Sequence, residues 1–174
     1  MRTFPQRFLG ALRLDVTVYE EVEADPRATA QALVVVALSS LAGGVGMSGL
    51  GARGLILGTL AALIGWLAWA TLVFVLGVRL LPEPQTRTSV GELLRTSGFA
   101  SAPGVLRAVG FVPGLAWPVF VMTAVWMLAA MVVGVRQALD FTTTRRAIAV
   151  CAVGWFLVMV AAIVIGVVFA PTVQ

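Results

Sequence analysis

Histidine and lysine are absent from the 174 residues, and cysteine occurs once, as Cys151. Without His, no Ser-His-Asp or Cys-His relay can be assembled. A single cysteine permits neither an intrachain disulfide nor a Cys-rich zinc site. Charge is scarce too: twelve arginines and eight carboxylates make 11% of the chain, against ~25% in an average soluble domain. The expectation is a non-enzymatic protein with no cofactor, no metal and no catalytic residues.

What fills the chain is apolar. Hydrophobic residues make up 60% and the mean hydropathy is +1.00, whereas soluble domains hold ~45–50% apolar residues. Five apolar segments have lengths that suit a bilayer. The fold class is therefore all-α, a polytopic membrane helical bundle forming a single membrane domain over 1–174. A net charge of +4 and a pI near 11 would suggest nucleic acid in a soluble chain. Here the arginines lie in short segments between apolar runs, as topology charges and headgroup contacts do. No basic helix or aromatic platform accompanies them, so nucleic acid is not an expected partner. Nor is a signal peptide expected, since a carboxylate-rich stretch follows Arg2 and Arg7.

Residues 3–24 read as one amphipathic cytoplasmic helix, with Phe4, Phe8, Leu12, Val16 (or Asp15), Tyr19 and Val22 on one face. It can lie in the headgroup plane or pack under the bundle. Asp25-Pro26 then supplies an N-cap and a first-turn proline for span one. The spans fall at about 28–47, 55–81, 97–112, 117–135 and 147–169. A Gly-rich connection joins the first two, and Gly54-Leu-Ile-Leu-Gly58 is a GxxxG pattern suited first to packing within the chain. Ser89-Val-Gly-Glu92 is a capping box that starts a helix. Pro103-Gly104 then breaks that helix, so the third span is short and interrupted. One of Thr142 to Thr144 caps the last span.

Arginine placement tests whether the broken segment crosses. If it does, Arg2, Arg7, Arg13, Arg27, Arg79, Arg87, Arg95, Arg136, Arg145 and Arg146 share one side, ten against Arg53 alone. If it dips in and returns, the division is eight against four. Five crossings follow, with the N-terminus cytoplasmic and the C-terminus outside a plasma (inner) membrane.

Three stretches carry a resemblance. They are Leu14-Asp15 with Tyr19 to Pro26, Gly91-Glu92-Leu-Leu-Arg95 with Gly98-Phe99-Ala100 and Pro103-Gly104, and Val135 to Asp140 with Thr144 to Ile148. In order and spacing they resemble the YIP family (Ypt-interacting proteins, the Yip-one domain), most closely its bacterial branch. The resemblance implies five compact spans behind a cytoplasmic N-terminus. Eukaryotic relatives are linked to Rab-type GTPases and to vesicle and curvature events, while the bacterial branch has no settled activity. The Tyr-Gly-Pro-Phe-Trp type sequence of eukaryotic relatives is absent here, so no GTPase partner is carried over.

Candidate binding residues follow from charge. Glu92 and Arg95 are three apart and Arg136 and Asp140 four apart, spacings that put opposite charges on one helix face. With Arg145 they suggest a polar cluster at the cytoplasmic edge, Glu92 bridging to Arg136 or Arg145. Such a cluster could hold a lipid headgroup, an ion, a protein partner or a second copy, or it could be solvated pairs worth ~0–1 kcal/mol. Arg107 sits ~27 Å along the helix counted from Ser89, near the outer interface, or ~12 Å deep counted from Phe99. It either snorkels or serves an anion or a lipid phosphate beside the break. Asp25, Pro26, Ser89, Pro103 and Gly104 are assigned structural roles. Glu20, Glu21, Glu23 and Asp25 read as a solvated face rather than a cation site. The leading expectation is a scaffold or membrane-shaping adaptor, and the alternative is a small channel or transporter built on the broken third helix and Arg107.

Overall fold

A computed structural model describes residues 1–46 and 51–169, and every element in them is helical. Four helices are long and apolar enough to cross a bilayer. These are α3 (Ala28–Gly46), α4 (Gly51–Phe74, prolonged by a π turn over Val75–Leu80), α6 (Ala116–Ala138) and α7 (Thr144–Phe169). Three shorter helices, α1 (Phe4–Leu12), α2 (Val16–Ala24) and α5 (Val90–Ala100), complete the set with a 3₁₀ segment over Ala102–Phe111.

The N-terminal amphipathic stretch is not one helix. It breaks at Arg13–Asp15 into α1 and α2, which fold back on each other. Leu14 adopts φ +59°, and the N–H groups of Leu14 and Asp15 donate to the carbonyls of Ala11 and Gly10. That pattern closes a helix C-terminus with one left-handed residue. Asp15 then opens α2 by accepting from the Thr17 N–H at 3.0 Å. Of the two placements open to this region, the structure takes packing against the bundle. Val18, Tyr19 and Val22 are buried with Ala28, Ala32, Val35 and Phe99, and the Trp126 indole donates to the Leu12 carbonyl at 2.9 Å.

The third apolar segment is likewise no continuous helix. Ser89 and Glu92 form the expected capping box, with Glu92 Oε2 2.8 Å from the Ser89 N–H. After eleven residues the α-helix stops at Ala100, and Pro103 sits in the first turn of the 3₁₀ segment. Proline offers no N–H to the preceding turn, so the ladder ends there. The two halves nevertheless run alongside α3 in parallel. A methyl group added at Gly98 would meet Ala32, one at Gly104 would meet Ser39, and Gly46 abuts the Arg107 carbonyl and Gly110. Glycine is needed at these points because helix backbones approach closely. α6 returns in the opposite sense, with Gly110 beside Ala116 and Gly134 beside Thr96.

The expected packing of Gly58 within the chain is not found, since a side-chain carbon there would meet open space. Span boundaries otherwise shift by a few residues. The N-terminal half of α7 packs Ala147, Val150 and Cys151 into a core with Val73, Leu76, Leu93 and Leu139, which makes Cys151 a small apolar filler. Met47 and the C-terminal tail beyond Phe169 lie outside the described residues.

Candidate functional site

The starts of α3, α5 and α7 and the ends of the π turn and α6 meet at one end of the bundle. Cross-links between elements show this. Gln137 Nε2 reaches Glu20 Oε1 at 2.9 Å, and Gly77 lies under Leu139. Glu83, buried in the Pro82–Pro84 loop, accepts from the Thr142 N–H and hydroxyl at 3.1 and 2.9 Å and pairs with Arg146 at 3.1 Å. Thr142 and Arg146 thereby hold the Glu83 carboxyl below its usual range. Gln85 adds a bond to the Asp140 carbonyl.

The sequence-predicted cluster is rearranged. Glu92 turns back to cap α5, so no Glu92–Arg95 pair forms. Arg95 instead reaches across to α2, donating from Nε to the carbonyls of Val22 and Glu23, each at 2.9 Å. Those are last-turn carbonyls of α2, which a cation satisfies. Arg136 and Asp140 do not pair either. The helix ends at Ala138, Asp140 takes φ +51°, and four-residue helical spacing no longer applies. Arg136 closes the α6–α7 turn by donating to the Phe141 carbonyl and the Thr144 hydroxyl, both at 3.3 Å. Among the described residues Glu92 bridges to neither Arg136 nor Arg145, and the ion pair that joins these loops is Glu83–Arg146. Arg145 is exposed, as are Arg13, Arg27, Arg79 and Arg87.

The acids of α2 are not a uniformly solvated face. Arg7, 2% exposed, places Nη2 2.8 Å from Asp25 Oδ2 and 2.9 Å from Glu21 Oε1. Its Nη1 lies 3.0 Å from Gln31 Oε1. Asp25 also accepts from the Arg27 N–H at 3.0 Å, which fulfils its expected role at the start of span one. The Arg7 bond draws the Asp25 carboxyl below its usual range. Glu21 is drawn down as well, burial being outweighed by bonds from Arg2 and Arg7. Glu23 goes the other way. Burial, then the neighbouring charges of Asp140 and Glu92, push it up to about 7 despite Arg95. No group of three or more Cys, Asp or Glu is placed to hold a metal ion among the described residues.

Arg107 stands apart. Its Nε lies 3.1 Å from Thr123 Oγ1, and its guanidinium sits over the Phe120 ring at 4.7 Å. Thr123 is seven residues into α6, ~10 Å from that helix start. Two cavities, about 420 and 760 Å³, meet at Arg107, Met127, Met131 and Trp155. Near the same end Trp117 is 73% exposed and stacks on Phe120.

Sequence reasoning missed Arg7 and Glu83. Arg7 carried one signal, a lone cation on a helix whose partner helix bears three acids, with Asp25 just beyond its end. Glu83 carried none, because its partners lie 59 and 63 residues downstream.

The architecture is that of an integral helical membrane protein, and the comparison with family models gives it a place. The Yip1 domain model matches residues 15–165. The chain belongs to the Yip1 domain family. No curated protein and no solved structure matches it.

Proposed function

We propose that the protein is a non-enzymatic scaffold or adaptor of a bacterial inner membrane, with its N-terminus in the cytoplasm and its C-terminus outside. In this reading the α5–3₁₀ segment makes a fifth crossing, because it follows α3 from Ala32 to Gly46. The carrying observation is the rim at the arginine-rich end. Its inward polar groups are spent on one another, which makes it stiff, while Arg27, Arg79, Arg87 and Arg145 stay exposed. A stiff basic rim under a bilayer suits anionic headgroups, a protein partner or a second copy. Of the residues first assigned to binding, Arg145 remains available for this, and Glu92, Arg95, Arg136 and Asp140 build the surface that carries it.

A photo-crosslinking residue placed at Arg87 or Arg145 of the full chain in native membranes tests the reading. Discrete adducts to lipid or to one protein are expected, and silence at both positions overturns it. The second reading, a channel or transporter, rests on the broken segment and the cavities at Arg107. Solute flux in proteoliposomes that Arg107→Ala abolishes would replace the first reading with the second.

A further inference from the structure

Arg107 carries a charge into an apolar setting with little to meet it. No carboxylate lies within ion-pair distance among the described residues. Among the described residues its one hydrogen-bond acceptor is Thr123 Oγ1, which takes the Nε proton, and the Thr123 hydroxyl donates in turn to the Val119 carbonyl at 2.8 Å. Among the described residues, neither terminal nitrogen of the guanidinium, the fork that recognises phosphate in two parallel bonds, meets a protein acceptor. Beside that fork the larger cavity opens between α6 and α7, about 760 Å³, with walls such as Phe120, Leu128, Met131 and Ile148. Among the described residues, Arg107 is the one charged side chain in its lining.

The two halves of this site ask for different chemistry. A small water-soluble anion would satisfy the guanidinium and leave the apolar walls uncovered. A neutral hydrocarbon would fill the walls and leave the cation unmatched, which is unfavourable within a bilayer. One molecule joining a phosphate to an acyl chain answers both. Methionine walls adapt to such a chain without a fixed shape. The level also fits, ~10 Å from the start of α6, where an arginine can meet a headgroup drawn slightly inward. We propose that Arg107 and the α6–α7 cavity bind one anionic phospholipid, the phosphate on the free edge of the guanidinium and an acyl chain along the cavity. The Arg107 end of this site lies opposite the basic rim, with the cavity running from it toward Ile148 and Cys151, and the site does not depend on the rim's exposed arginines.

Native mass spectrometry of the full chain in detergent tests the site, titrating phosphatidylglycerol against phosphatidylcholine with the same acyl chains. The expected result is one tightly retained phosphatidylglycerol, preferred by about tenfold. Arg107→Gln abolishes that preference, Arg107→Lys keeps part of it, and the rim control Arg146→Gln leaves it unchanged. Ala124→Trp, which fills the cavity, removes retention of both lipids. Equal retention of the two lipids by the unaltered chain overturns the proposal. So does a preference that survives Arg107→Gln, or full displacement by inorganic phosphate at the lipid's concentration, which would mark a plain anion site. If Arg107→Gln does not fold, Ala124→Trp decides: anionic lipid still held at its former strength overturns the assignment.

Discussion

Arg7 shows what a single side chain can control in this molecule. It lies between Asp25, Glu21 and Gln31 with almost no contact with solvent, and it ties α1 to α2 and to the start of α3. Removing one partner of a buried pair strands the others, at a cost of ~3–5 kcal/mol. Arg7→Met is expected to lower stability by that amount, measured as unfolding in detergent, and adding Asp25→Asn should recover part of it. Glu23 makes a second prediction at this scale. Its folded value near 7 lies above the ordinary 4.5, so the folded state holds the proton more tightly than the unfolded chain. Its contribution to stability is complete below about 4.5 and is lost as pH rises through about 7. Asp25 and Glu21, held low, act in the opposite sense and lose their contribution as pH falls below the ordinary carboxylate range. A stability maximum on the acid side of neutrality is expected, and Glu23→Gln should flatten its upper flank. An unchanged upper flank would refute this.

Among the elements, the glycine contacts between α3 and the α5–3₁₀ segment give the sharpest contrast. At Gly46 an added Cβ would sit 2.0 Å from the Arg107 carbonyl oxygen, a backbone atom that cannot rotate away. At Gly58 it would meet nothing within 4 Å. Gly46→Ala is expected to destabilise by at least ~1–3 kcal/mol, the scale of overpacking. Gly58→Ala should be neutral or gain up to ~1 kcal/mol from helix propensity. Thermal unfolding of the two variants in one detergent checks both, and equal effects would argue against the close approach.

How legible these elements were depended on range. The long spans, the Ser89–Glu92 box, the Asp25-Pro26 start and the break at Pro103 are local signals, and each appears where the chain announces it. The break at Leu14 was hidden because a leucine, not a glycine, takes the left-handed position, so Asp15 was read inside a helix instead of opening one. The expected Glu92–Arg95 and Arg136–Asp140 pairs failed for a related reason. Helical spacing says which side chains can meet on one helix and nothing about stronger offers from another. Arg95 found two backbone carbonyls more than seventy residues away.

At the scale of the whole molecule, the proposed orientation makes one further prediction. Reporter fusions after Thr144 should read cytoplasmic and those following Gln174 external. An external reporter after Thr144 would reject the fifth crossing, and with it the ten-to-one division of arginines.

The seat of the N-terminal hairpin also dictates an order of events during synthesis. The Leu12 carbonyl is held by an indole 114 residues further along the chain, and α2 leans on α5 and α6. A hairpin made before any of the long spans is therefore among the last segments to be fully seated. Until α6 is inserted, the hairpin has only α3, α5 and the 3₁₀ segment to pack on, and a nascent chain arrested before Ala116 is expected to leave it more open to protease than the full chain does.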